Sequence, residues 1–179
     1  MQKFISTALV LILSVILSGS AFASPITVAA DVYALANASE NTPLNTGLIF
    51  NAGDAFSITV DPKDTWSAGS NSPYPRVSSA DGINPIYYGQ WSEFGVTYNY
   101  GALVGQIDSG SYFLVGTNFF GTAPNAGELK LMYWDSFFMD NYDFVTATIT
   151  VGSTSVPEPA IMLLLGAGLA GLGLMRKKI

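Results

Sequence analysis

The chain has 179 residues, with seven basic and thirteen acidic side chains, no histidine and no cysteine. Without thiols or imidazoles it can form no disulfide, zinc–thiolate centre, cysteine nucleophile or Ser-His-Asp triad. The excess of acid leaves no basic face for nucleic acid, and it suits calcium and an extracellular setting.

In chain order, the first element is the apolar run Phe4–Leu17 behind Lys3, followed by Ser18-Gly19-Ser20 and Ala21-Phe22-Ala23. That is the three-part layout of a secretory signal peptide, a helix with a small-residue cleavage site. Ala21 and Ala23 fit the narrow pockets of signal peptidase, which places the cut between Ala23 and Ser24. Val28-Ala29-Ala30 offers a second site. An uncleaved N-terminal anchor is the alternative, but the run is short for a spanning helix.

Residues 24–155 read as one domain. The outer region 24–156 holds 133 residues, of which 12 are acidic and 3 basic (Lys63, Arg76, Lys130), a net charge of −9. Strands are predicted over Ile26–Leu35, Gly47–Asn51, Ala55–Val60, Ala102–Ile107, Ser111–Phe119, Glu128–Tyr133 and Phe144–Val151. In the last, Thr146, Thr148 and Thr150 alternate with Val145, Ala147, Ile149 and Val151, the pattern of a half-buried strand. Turn chemistry separates the strands at Asn51–Asp54, Asp61–Asp64, Asp108–Gly110 and Pro124–Gly127. No stretch between Ser24 and Ser155 has a 3.6-residue apolar period. The fold class is therefore all-β, an antiparallel β-sandwich. Ser67–Tyr88 reads as a long loop or a strand pair with long connections, and Ala36–Thr46 as a shorter segment of the same kind; binding sites on a sandwich usually lie in such loops.

The richest polar cluster is Asp135–Asp143, a loop between two strongly patterned strands. Asp135, Asp140, Asn141 and Asp143 offer hard oxygens, and calcium takes about six to eight of them. Without basic partners, the loop repels itself unless something neutralises it. A solvated hairpin loop is the competing reading. A carboxylate pair of the glycosidase kind, Asp135 with Asp140 or Asp143, is a third, but such an acid needs a buried environment to raise its pKa; no enzyme activity is expected. Tyr74, Tyr87, Tyr88, Trp91, Tyr98 and Tyr100 are candidates to pack on a sugar, against the plainer alternative of core or strand residues. Trp66 reads as structural and the Glu93 carboxylate as isolated and solvated.

The chain closes on Val156-Pro157-Glu158-Pro159, the apolar stretch Ala160–Met175 and Arg176-Lys177-Lys178. As a helix the stretch is about 24 Å long, slightly under a full span, and local bilayer thinning can make up the difference. The basic cluster keeps the C-terminus cytoplasmic and the domain outside. Pro157 and Pro159 hold the segment before the helix extended and open to a protease.

Residues 156–178 resemble the PEP-CTERM sorting signal. That resemblance implies a transient inner-membrane anchor, cleavage near the motif by an exosortase, and delivery to the cell surface or extracellular polysaccharide matrix. A plain single-span anchor is the alternative. A second resemblance rests on Gly101–Ile107, Phe113–Asn118, Gly127–Leu131, Trp134-Asp135 and Asp140-Asn141, with Asn51–Asp54 and Asp64–Gly69 upstream. In that order they resemble the PA-I galactophilic lectin family, a small galactose-binding-like, jelly-roll-like sandwich. The resemblance implies a bound calcium ion held by Asp135, Asp140, Asn141 and the carbonyl of Gly69. It also implies carbohydrate contacts from Asn141 and Asp135; Tyr74 and Tyr88, from the loop aromatics above, are the rings expected beside them. The chain departs from the family pattern in a shorter Asp135–Asp140 loop, in Asn141-Tyr142-Asp143, and in having no histidine. The function expected is a calcium-assisted carbohydrate-binding module on an exported protein. The alternative is a structural protein of a biofilm or exopolysaccharide matrix that binds no ligand.

Overall fold

A computed structural model describes residues 24–69 and 76–152. The expected signal peptide, with Ala21 and Ala23, lies outside the described residues. So do Tyr74 and the segment from Val156 to Lys178 with the expected transmembrane stretch 160–175. Ser24 is described and exposed. Among the described residues, no helix is long and apolar enough to cross a membrane.

In chain order the strands are β1 (Ile26–Tyr33), β2 (Leu44–Phe50), β3 (Ala55–Thr59), β4 (Trp66–Ser67), β5 (Val77–Ser78) and β6 (Gln90–Glu93). They continue with β7 (Val96–Asn99), β8 (Leu103–Ile107), β9 (Phe113–Leu114), β10 (Asn118–Thr122), β11 (Gly127–Tyr133) and β12 (Phe144–Val151). One helical turn, α1 (Pro85–Tyr88), precedes β6. Two four-stranded antiparallel sheets, ordered β1-β12-β3-β10 and β2-β11-β8-β9, form a sandwich within the compact unit Pro25–Gly152. The ribbons β4-β5 and β6-β7 are attached to it.

The alternation in β12 does what its sequence predicts. Val145, Ala147 and Ile149 are fully buried, and the intervening threonines are not. β12 pairs with β1 from Tyr33↔Phe144 to Ile26↔Val151. Leu129, Leu131 and Tyr133 of β11 and Leu103 and Ile107 of β8 face the same core. Phe56 joins the two sheets at one end, with its ring 4.7 Å from Phe50 and 5.1 Å from Phe119. Such aromatic pairs add about 0.5–1.5 kcal/mol each beyond their buried area.

The opposite face of the second sheet is also covered. Ala102, Val104, Met132 and Trp134 form a smaller core under Trp91, Val96, Tyr98 and Tyr112. The β6-β7 hairpin that covers it was not among the predicted strands. Gln90, Ser92 and Thr97 face out, but Glu93 and Asn99 are half-buried like its apolar residues, so its alternation is muted.

Two expectations are corrected. β2 begins at Leu44, inside the expected loop Ala36–Thr46. The predicted strand Ser111–Phe119 is two strands in different sheets: β9 pairs with β8 and β10 pairs with β3. The chain crosses between the sheets at Gly116, whose φ of 61° suits glycine, and Asp81 accepts the Thr117 N–H at 2.7 Å just beyond it. In Ser67–Tyr88 the strand-pair alternative is the one observed at its start, where β4 pairs with β5, and the single turn α1 closes the segment.

The Tyr133 hydroxyl is buried with no protein partner, and burial raises its pKa well above the ordinary tyrosine value. A buried hydroxyl without a partner costs about 1–3 kcal/mol. Tyr133→Phe is therefore expected to be neutral or to raise stability in chemical denaturation. A loss of more than about 1 kcal/mol would show that the hydroxyl bonds a group in solution.

Candidate functional site

The loop after β11 is fixed at three points. At its start, the Asp135 N–H donates to Ser39 Oγ at 3.3 Å, while that hydroxyl donates to the Asp135 carbonyl at 2.9 Å. In its second half, Tyr142 exchanges backbone hydrogen bonds of 3.0 and 3.2 Å with Ser67 of β4. The Ala34 N–H donates to the Asp143 carbonyl at 3.0 Å, and Asn141 Nδ2 donates to the Ala34 carbonyl at 3.3 Å. The loop therefore holds its side chains against the sandwich end formed by β1, β4 and β5.

Beside it opens a cleft of 390 Å³. Asp135, Ser136, Phe137 and Asp140 line one side, and Ala68, Arg76, Tyr88 and Tyr100 line the other. Tyr88 is placed by α1, which starts on Pro85 with Asn84 Oδ1 accepting the Ile86 N–H at 3.0 Å. Its ring meets Tyr100 edge-on at 5.1 Å, and the Tyr100 hydroxyl lies 3.3 Å from Ser136 Oγ. Polar groups and aromatic rings thus converge on one concavity.

Asp135 is 5% exposed and Asn141 4%. Burial pushes the Asp135 carboxyl above the ordinary carboxylate range, and Asp140 adds to the rise. Hydrogen bonds from the Phe137 N–H and the Asn141 side chain oppose it. Asn141 Oδ1 is buried and has no partner.

The four residues expected to hold calcium all reach this corner. Asn141 bonds Asp135, and Gly69 lies against Asp140 so closely that a methyl on Gly69 would collide with Asp140 Oδ2. Two of the four are already engaged. Arg76 Nη1 pairs with Asp140 Oδ2 at 3.2 Å, and the Gly69 carbonyl accepts from Ser67 Oγ at 3.0 Å. The expectation that the acidic loop has no basic partner is therefore corrected by Arg76. The same guanidinium donates to the Ala68 carbonyl at 3.1 Å and lies 5.3 Å from the Tyr88 ring centre. As arranged, the cluster does not fit a divalent ion, because a second cation would stand against a fixed one. No group of three or more acidic side chains with metal-binding spacing occurs among the described residues.

Of the aromatic candidates, Tyr88 and Tyr100 line the cleft and Tyr87 is exposed. Trp91 and Tyr98 pack on the smaller core instead. Trp66 is structural, as expected. It is buried, its Nε1 donates to the Gly101 carbonyl at 2.8 Å, and its ring meets Tyr133 edge-on. Sequence reasoning missed Arg76 as a site residue. Its one signal was rarity, as one of three basic residues in the outer region.

Comparison with known families matches the PEP-CTERM protein-sorting motif to residues 155–177. The chain carries a PEP-CTERM sorting signal. It is thus an exported protein, handled at the membrane by an exosortase on its way to the cell surface. Among solved structures, a chain described as "EclA N-terminal domain; PllA-like lectin" is similar at 21% identity, over 70% of this chain and 95% of that one, with a TM-score of 0.49. Comparison with curated proteins gives no match.

Glu93 is neither isolated nor fully solvated. Burial raises its pKa, the Glu40 carboxyl beside it raises it further, and Trp91 Nε1 donates to it at 3.4 Å. The folded state therefore keeps a proton that the unfolded state has released. The stability this confers is complete below the ordinary glutamate pKa and is lost as pH rises through the raised value. Melting curves across that window should decline less steeply for Glu93→Gln than for the wild type. Parallel declines would remove the assignment.

Proposed function

We propose that the exported chain is a non-catalytic carbohydrate-binding protein of the cell surface or extracellular matrix. Its ligand lodges between Arg76, Asp135 and Tyr88. The observation that carries this reading is the convergence of charged groups, a hydroxyl and two tyrosine rings on one cleft of 390 Å³. Sugars offer hydroxyls that donate and accept, and pyranose faces that lie on aromatic rings. The cleft supplies carboxylate acceptors in Asp135 and Asp140, guanidinium donors in Arg76, and the rings of Tyr88 and Tyr100. A carboxylate acid–base pair is a poorer reading, since Asp140 is paired with Arg76 and Asp143 accepts the Phe144 N–H at 3.1 Å.

In the same proposal, signal peptidase cuts between Ala23 and Ser24, and residues 160–175 span the membrane as a transient anchor. The exosortase then cuts near Pro157-Glu158-Pro159. The sandwich and its cleft leave the membrane together.

Two measurements test the reading. A glycan array probed with the full chain in mild detergent should show saturable binding to a sugar. Tyr88→Ala should weaken that binding by about tenfold, roughly 1.4 kcal/mol. An array without binding would leave the ligand-free structural role. Intact-mass analysis of native protein should place the C-terminus near 157–160, and Arg176-Lys177-Lys178 still attached would refute cleavage.

A further inference from the structure

We propose that Arg76 is the resident cation of the cleft. Its guanidinium neutralises Asp140 where a divalent ion would otherwise be needed, so ligand binding is independent of metal, and Arg76 contacts the ligand directly. The ligand contact rests on the carbohydrate reading above; the metal independence does not.

Geometry makes the first part of the case. Arg76 Nη1 is held by Asp140 Oδ2 at 3.2 Å and by the Ala68 carbonyl at 3.1 Å, with Tyr88 as a cation–π partner. It lies 2.8 Å from the position a Gly69 Cβ would occupy. One charged group thus touches the expected ligand Asp140, bonds the carbonyl of Ala68 just before Gly69, and borders the cleft that Asp135 lines. The place itself depends on glycine. Gly69 has a φ of 101°, and any side chain there would meet both Asp140 and Arg76.

Charge makes the second part. A guanidinium cannot be deprotonated in a protein, so its charge is permanent, whereas a metal ion dissociates. The Arg76–Asp140 pair is partly exposed, with side chains 23% and 42% accessible, and such a pair contributes little to stability. Its consequence is occupancy rather than strength. The guanidinium is also not exhausted, because its bonds to the described residues run through Nη1 alone. With its remaining Nη hydrogens, Arg76 presents donors to an oxygen-rich ligand, beside the Asp135 and Ser136 oxygens that accept.

The test compares melting of the full chain in mild detergent, with chelator and with excess calcium, for wild type, Arg76→Lys and Arg76→Gln. Wild type and Arg76→Lys should melt at the same temperature in both conditions. Arg76→Gln frees Asp140 beside Asp135 and should gain a calcium-dependent rise of several degrees. A calcium-dependent rise in the wild type would overturn the proposal, and so would the absence of one in Arg76→Gln. A second arm repeats the glycan measurement in chelator. Binding should persist there and fall at least about tenfold in Arg76→Gln; a bound sugar lost to chelator would overturn the proposal. If no glycan binds at all, the carbohydrate reading fails, and with it the ligand contact, while the melting arm still decides the metal question.

Discussion

Burial of β11 on both faces is the constraint from which the site follows. Leu129, Leu131 and Tyr133 enter the core between the sheets, and Met132 and Trp134 enter the smaller core on the other side. A strand gripped this way cannot slip by one residue, because a slip would exchange the two sets of side chains. Trp134 adds two anchors: its N–H donates to the Ala102 carbonyl at 3.0 Å and its Nε1 to the Trp91 carbonyl at 2.9 Å. Asp135, the next residue, therefore emerges at a fixed point with its carboxylate buried. The precision of the site is inherited from the core rather than from the loop.

The carboxylates also resolve into two kinds. Asp54, Asp61, Asp64, Asp81 and Asp143 accept backbone N–H groups at Asn51, Lys63, Thr146, Thr117 and Phe144. These side chains close turns and tie strands, so much of the domain's acidity serves the backbone. Asp135 and Asp140 differ in facing the cleft, even though Asp135 also accepts the Phe137 N–H at 3.3 Å. A net charge counted from composition cannot separate these uses, since only the position of each acid relative to the chain around it does so.

What could be read from the sequence follows the same division. The strands whose two faces differ in polarity, β12 above all, were legible because burial imposes a period of two. The all-β class and the loop carrying Asp135, Asp140 and Asn141 followed from them. The break between β9 and β10 was not legible, because apolar Phe113–Val115 and Phe119-Phe120 flank it closely and the crossing is marked only by the short run Gly116-Thr117-Asn118. The β6-β7 hairpin was missed because its cover for the smaller core is half-buried. Arg76 was missed because its partners at Ala68, Tyr88 and Asp140 are adjacent only after β4 and β5 have paired and the Asp135–Asp143 loop has docked on β4.

The register of β1 against β12 has a further consequence. Ile26 lies opposite Val151, so the chain enters and leaves the sandwich at one end, while Tyr33 lies opposite Phe144 at the end that carries the cleft. Seven residue steps separate those ends, about 24 Å along the strands. A tether through either terminus would pull on the end remote from the cleft, along the strands and away from the ligand. Trimming that tether would then change where the protein is held without disturbing what the opposite end can grasp.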